Sequence, residues 1–142
     1  MHKRFDQQLF DDNDSVAKRT VTEYLLCTED AIVENYPDPY HVDLLVTGGL
    51  GNKRAIECEV KRVWSGADFP WDSVQLPERK RKYLDCGYPV EYWLLNNELS
   101  YAIVIPGDAL LRHEPVEVSN RYVRKGERFY QIPLVECSMR IL

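Results

Sequence analysis

"RAIECEVKRVW", residues 54–64, sets Ile56, Cys58 and Val60 in alternation with Glu57, Glu59 and Lys61. A period of two marks a β-strand that turns its apolar set inward and its charged set to the opposite face. Such a face is either simply solvated, with Glu and Lys supporting each other weakly across water, or one wall of a site. The choice depends on what the neighbouring segments bring to that face.

Immediately upstream lie "VDLLV" (42–46), a β-prone run, and "TGGLGN" (47–52), a glycine-rich reversal. If the glycines centre the hairpin, cross-strand partners have residue numbers summing to about 100, within a residue or two. Asp43 then lies opposite Glu57, on the same face. Asp43, Glu57 and Glu59 form one acidic patch with Lys61 at its edge. Carboxylates so gathered repel one another unless a cation sits among them. Oxygen-only ligands suit Mg²⁺ or Mn²⁺, and a lysine beside such an ion can orient an attacking water or stabilise negative charge developing on phosphorus. These are the parts of metal-assisted phosphodiester hydrolysis.

Further outward, "DDNDSVAKRTVTEYLL" offers Asp14 as an N-cap with Val16, Val21, Tyr24 and Leu25 at helical spacing, predicting a helix over about 14–28. "AIVENY" (31–36) is a strand, and "PDPY" (37–40) separates it from the hairpin. "SGADFPWD" (65–72) reads as a loop. Pro77 suits the first turn of a basic helix through "PERKRKYLDCG", stopping near Gly87. "VEYWLL" and "SYAIVI" are two strands with the apolar density of a sheet centre. The tail offers "VEVSNRYV" and "RFYQIPLVE" around a turn at Gly126.

A chain of 142 residues, 44% hydrophobic and 29% charged, fits one domain over 1–142, with roughly two-thirds of its unfolded surface buried. The net charge of −5 argues against non-specific coating of nucleic acid but leaves room for a local basic face. "MHKRFDQQLF" lacks a signal-peptide core, and no run approaches the ~20 apolar residues of a membrane span, so a cytoplasmic protein without membrane contact is expected. Cys27, Cys58, Cys86 and Cys137 are scattered singly, predicting reduced thiols with no disulfide, zinc or iron–sulfur site. No phosphate-binding loop of an ATP-driven enzyme is present.

A helix, a strand carrying Asp43, a strand with Glu59-Val60-Lys61 and then a basic helix resemble the PD-(D/E)xK nuclease superfamily, over roughly residues 14–95. The resemblance implies a restriction endonuclease-like α/β core, a mixed central sheet flanked by helices in α-β-β-β-α-β order. It implies Asp43 and Glu59 as metal ligands, Lys61 as the catalytic lysine, and Glu23 of the first helix as an added ligand. A solvated surface role explains Glu23 almost equally well. Val42 stands where the superfamily has proline. The literal Pro37-Asp38 lies in a turn-like setting, so Asp38 is the fallback for Asp43. The motif does not require Glu57, whose plainest reading is a surface residue; a second metal or a supporting hydrogen bond are the alternatives.

In "VQLPERKRKYL", Gln75, Arg79, Lys80 and Lys82 are the candidate nucleic-acid contacts; Arg and Lys near a metal site hold phosphates without reading sequence. Gln75, Lys80 and Tyr83 enter by analogy with branches of the superfamily, although their spacing does not reproduce Q-x-x-x-Y. Trp64, Phe69 and Trp71 either cap the core or stack on unpaired bases. His2, His41 and His113 show no ligand spacing; His41, two residues before Asp43, is read as a surface residue at a strand end. The expectation is a Mg²⁺- or Mn²⁺-dependent nuclease, acting on DNA ahead of RNA, selecting by structure and forming a homodimer. The alternative is a non-catalytic subunit of the same fold that docks a partner or nucleic acid.

Overall fold

The strand expected around Glu57 forms over Lys53–Val60, and everything else is arranged on its two faces. The computed structural model of the protein describes residues 12–38, 42–118 and 127–142; His2, His41 and the turn expected at Gly126 lie outside them. Helix α1 (Asp12–Thr28) starts two residues before the expected Asp14 cap. Strands β1 (Ala31–Asn35), β2 (Leu44–Gly48) and β3 (Lys53–Val60) follow as an antiparallel meander. Leu44 pairs with Ile56, the register expected from the hairpin, and Gly51 takes the positive φ of 86° that its turn requires.

After β3 the chain forms β4 (Ser73–Pro77), a 3₁₀ helix (Glu78–Cys86), β5 (Val90–Leu95) and β6 (Tyr101–Pro106). A second 3₁₀ helix (Gly107–Arg112), β7 (Val116–Glu117), β8 (Arg128–Pro133), a 3₁₀ turn (Leu134–Glu136) and β9 (Ser138–Ile141) complete the described chain. The main sheet is six-stranded and mixed, in the order β1-β2-β3-β5-β6-β9, with β3 and β5 its parallel pair. A small antiparallel sheet has the order β4-β8-β7. The protein is therefore an α/β fold with a mixed sheet.

Alternation along the central strands separates two cores. Ile56 and Cys58 of β3, Trp93 and Leu95 of β5 and Ala102 and Val104 of β6 pack beneath Ala17, Val21 and Leu25 of α1. The opposite face, with Ala55, Tyr92, Leu94, Ile103 and Ile105, is covered by Val74 and Leu76 of β4 and Tyr130 and Ile132 of β8. Glu57 and Glu59, alternating with Ile56 and Cys58, therefore face the small sheet, away from α1. On the helix side, Arg54 ties the end of α1 to the sheet through Glu29 at 3.0 Å and Glu91 at 3.1 Å.

Two expectations are corrected between residues 73 and 87. Ser73–Pro77 is a strand: Val74 and Leu76 are buried with Gln75 exposed between them, a period of two too short to stand out in the sequence. Pro77 ends that strand in extended geometry (φ −57°, ψ 138°) and so precedes the helix. The basic segment winds as a 3₁₀ helix, stopped by Gly87 at φ 90° as expected. At three residues per turn Lys80, Tyr83 and Cys86 fall in one row, and that row faces the core. The strand β9 was also unexpected; "SMRI" carries an arginine and finds its place through pairing with β6.

Candidate functional site

The site begins where β2 parts from β3. Beyond Leu44 the backbone N–H of Asp43 still donates to the Ile56 carbonyl at 3.1 Å. The next bond comes from a side chain: the Cys58 N–H donates to Asp43 Oδ2 at 3.0 Å. This carboxylate replaces a strand neighbour, which holds Asp43 against β3 and leaves that edge open beyond it. Asp38, after β1, instead places its charge near Tyr36, so Asp43 is the aspartate that meets β3.

Asp43 hydrogen-bonds the Glu57 side chain. Lys80 projects from the 3₁₀ helix between the two glutamates, with Nζ 3.4 Å from Glu57 Oε2 and 3.3 Å from Glu59 Oε2. Its backbone is pinned as well, because the hydroxyl of Tyr92, the β5 residue paired with Glu57, donates to the Lys80 carbonyl at 2.7 Å. The cluster is graded in exposure: the side chains of Lys80 and Glu57 are 9% and 12% exposed, Glu59 41%.

These contacts correct two sequence readings. Lys80 is not a surface phosphate contact, since its ammonium is buried and committed to two carboxylates. Glu57 is not a surface residue either; its side chain is far more enclosed than that of Glu59. Neither was legible, because a run of four cations gives no sign of which one turns inward, and strand alternation does not say how deeply a face will be covered. The Lys80, Tyr83, Cys86 row would have signalled it had the 3₁₀ period been known.

Burial is the main force on Glu57. Together with the negative charge of Asp43 it pushes the Glu57 carboxyl up to about 8, against the opposing pull of Lys80. Burial disfavours the Lys80 ammonium, but Glu59 and Glu57 outweigh it and its pKa is raised. A carboxyl whose folded pKa exceeds its ordinary 4.5 stabilises the fold at low pH. That contribution is full below 4.5 and is lost as pH rises through about 8. Thermal unfolding followed from pH 5 to 9 should show Tm falling across this window, and Glu57→Gln should flatten the fall. An equal slope in the variant would assign the pH dependence elsewhere.

Lys61 continues the face of Glu57 and Glu59, and its backbone N–H donates to the Leu95 carbonyl at 2.8 Å. Its ammonium stands 5.4 Å from the centre of the Trp71 ring, and among the described residues it makes no salt bridge. Lys61 and Trp71 line a cleft of about 750 Å³ with Val63, Phe69, Asp72, Ser73 and Gln75. The loop carrying these aromatics is tied down by the fully buried Asn96. Asn96 donates to the Gly66 carbonyl at 2.9 Å and to Ser100 Oγ at 3.0 Å, while its carbonyl oxygen accepts from the Ser100 and Tyr101 N–H groups. Asn96→Ala should cost about 3 kcal/mol of unfolding free energy, read by urea titration, because buried polar groups lose their partners. A loss under about 1 kcal/mol would mean water replaces them.

Other expected residues fall elsewhere. Glu23 is exposed on α1 and lines a shallow cleft with Lys18, Asn35 and Leu44; the sheet stands between α1 and the face carrying Glu57 and Glu59. Arg79 is 69% exposed and 3.9 Å from Glu127, while Lys82 lies over the Tyr83 ring. Gln75 is exposed in the Lys61 cleft. His113 pairs with Glu136 at 2.6 Å, both side chains partly buried. All four cysteines are free.

Among the described residues, no three acidic, imidazole or thiol side chains converge as a ready-made metal cage. The donors present still fit a hard cation: Asp43, Glu57 and Glu59 offer only oxygen, one ammonium offsets them, and Mg²⁺ commonly uses one or two protein carboxylates. Among the described residues no helix is long and apolar enough to cross a membrane. Comparison with known protein families, curated proteins and solved structures finds no match to this chain.

Proposed function

We propose that the protein is a Mg²⁺- or Mn²⁺-dependent nuclease of the PD-(D/E)xK type, with a restriction endonuclease-like core. The carrying observation is the meeting of Asp43 with Glu57 across the β2–β3 hairpin, next to Glu59 and on the face that leads to Lys61. Asp43 and Glu59 would hold the ion, with Glu57 supporting them through its hydrogen bond to Asp43. Once bound, the ion activates water and offsets the charge of the phosphodiester. Lys61 would hold that water or stabilise the phosphorane; its ammonium lies over the Trp71 ring and makes no salt bridge among the described residues, which supports this role. Lys80 neutralises part of the carboxylate charge and fixes the two glutamates, a positioning role. Arg79 and Lys82, both exposed, remain able to contact phosphates.

Selection by nucleic-acid structure is favoured over sequence, and DNA over RNA. A dimer would supply two sites for cutting two strands. The reading is tested by incubating the purified protein with branched and single-stranded DNA in Mn²⁺ or Mg²⁺. Cleavage should appear with the metal, disappear with chelator and be lost in Asp43→Asn at unchanged circular dichroism. Should the protein bind no divalent metal, and should Asp43→Asn only raise its Tm by relieving repulsion, the fold serves as a non-catalytic docking subunit instead.

A further inference from the structure

We infer that the cleft beside Lys61 is a stacking pocket for an unpaired base, so that the substrate enters as single-stranded nucleic acid; this rests on the nuclease reading above. Of the tryptophans, Trp64 and Trp93 are buried at 0% and 1% exposure, whereas Trp71 is 42% exposed. Core packing therefore accounts for the first two and leaves much of Trp71 facing solvent. The exposed ring is nonetheless held in place. Phe69 meets it edge-on at 5.0 Å, and Trp64 meets Phe69 edge-on at 5.3 Å, a row of aromatics running from the core to the cleft wall. The Trp64 indole N–H donates to the Asp68 carbonyl at 3.1 Å, and the Trp64 carbonyl accepts from Asn97 at 2.7 Å. A rigid, half-exposed aromatic is what stacking needs, because little side-chain entropy is lost when a planar ligand settles on it.

The rest of the cleft suits a nucleotide. Lys61 stands over the Trp71 ring, 5.4 Å from its centre, so a base settling on that face displaces the ammonium toward its own backbone phosphate. Ser73, Asp72 and Gln75 line the same cleft and carry donors and acceptors able to meet base edges. A duplex cannot offer a base face without opening, so the pocket favours ends, flaps and branches over paired DNA. It gives the expected structure selectivity a physical origin: the aromatic holds the base while Lys61 meets the phosphate beside it.

The test uses the full-length protein with fluorescein-labelled oligodeoxythymidylate and a blunt duplex of equal length, both in chelator so that binding is read without cleavage. Wild type should bind the single strand more tightly than the duplex and show quenching of its exposed tryptophan. Trp71→Ala should weaken single-strand binding about tenfold or more, and Trp71→Phe should retain most of it, with circular dichroism and Tm unchanged in both. Equal binding by wild type and Trp71→Ala, in a protein that cleaves with Mn²⁺, overturns the stacking pocket and leaves the nuclease reading standing. Trp71-dependent binding without cleavage under any divalent metal supports the pocket and refutes the nuclease. Failure of the wild type both to bind and to cleave overturns both.

Discussion

Lys80→Ala should lower the unfolding free energy by about 3 kcal/mol at pH 9, above the Glu57 value of about 8, because removing one member of a buried charged group leaves the ionised Glu57 unpaired. The contacts define the cost. Glu57 and Glu59 lose an ammonium at 3.4 and 3.3 Å, and Asp43, hydrogen-bonded to Glu57, loses the cation that limits repulsion within the group. The alkyl stem of Lys80, packed inside the fold, is lost as well. Lys80→Met keeps most of that stem, so the difference between the two variants separates packing from charge. Urea unfolding at pH 5 and pH 9 provides the readout. The loss should be smaller at pH 5, where Glu57 holds a proton and needs less compensation. Divalent metal adds a second arm: Mn²⁺ should restore part of the stability of Lys80→Ala, as binding to the folded state does by mass action. Equal stability of Lys80→Ala and wild type at both pH values would show that the ammonium does not sit between the glutamates.

Lys61→Ala should reduce Mn²⁺-dependent cleavage by about 10²- to 10⁴-fold, the range for loss of a group that moves or holds a proton in the transition state. Stability should change by less than about 0.5 kcal/mol, since Lys61 is only partly buried and its one described side-chain contact is the Trp71 ring. The pairing of a large kinetic effect with a small structural one distinguishes Lys61 from Lys80. Lys61→Arg keeps the charge but not the compact ammonium, so restoration of phosphate binding without cleavage is the expected outcome. Undiminished cleavage by Lys61→Ala would exclude Lys61 from the chemistry.

How much of this was legible varies by element. The β2–β3 hairpin was readable because its determinants are local: a glycine reversal sets the register, and alternation sets the faces. Asp43 opposite Glu57 follows from those two facts alone. Pro77 and the run "ERKRK" satisfy the signals of a helix start, but local signals do not distinguish the 3₁₀ winding that the segment adopts. The preceding "SVQLP" was not recognised as a strand because its partner, β8, is more than fifty residues away. Glu23 shows a different failure. The resemblance implies it as a ligand from the first helix, yet α1 packs on the Ile56 and Cys58 side of the sheet, away from the acidic cluster.

Local sequence thus determined the charged face of β3, its hairpin partner and the sequence neighbours Glu57, Glu59 and Lys61. Tertiary structure decided what each of those charges became. The ion pairs of Glu57 and Glu59 depend on a 3₁₀ helix whose three-residue turn aims Lys80 inward, and on a Tyr92 hydroxyl from another strand that anchors it. Burial depth, the quantity that raises the Glu57 pKa and makes Lys80 necessary, is a property of the second sheet packing over the first. Periodicity reports which side of a strand a residue faces, but only the covering layer sets the solvent, and hence the charge, that it finds there.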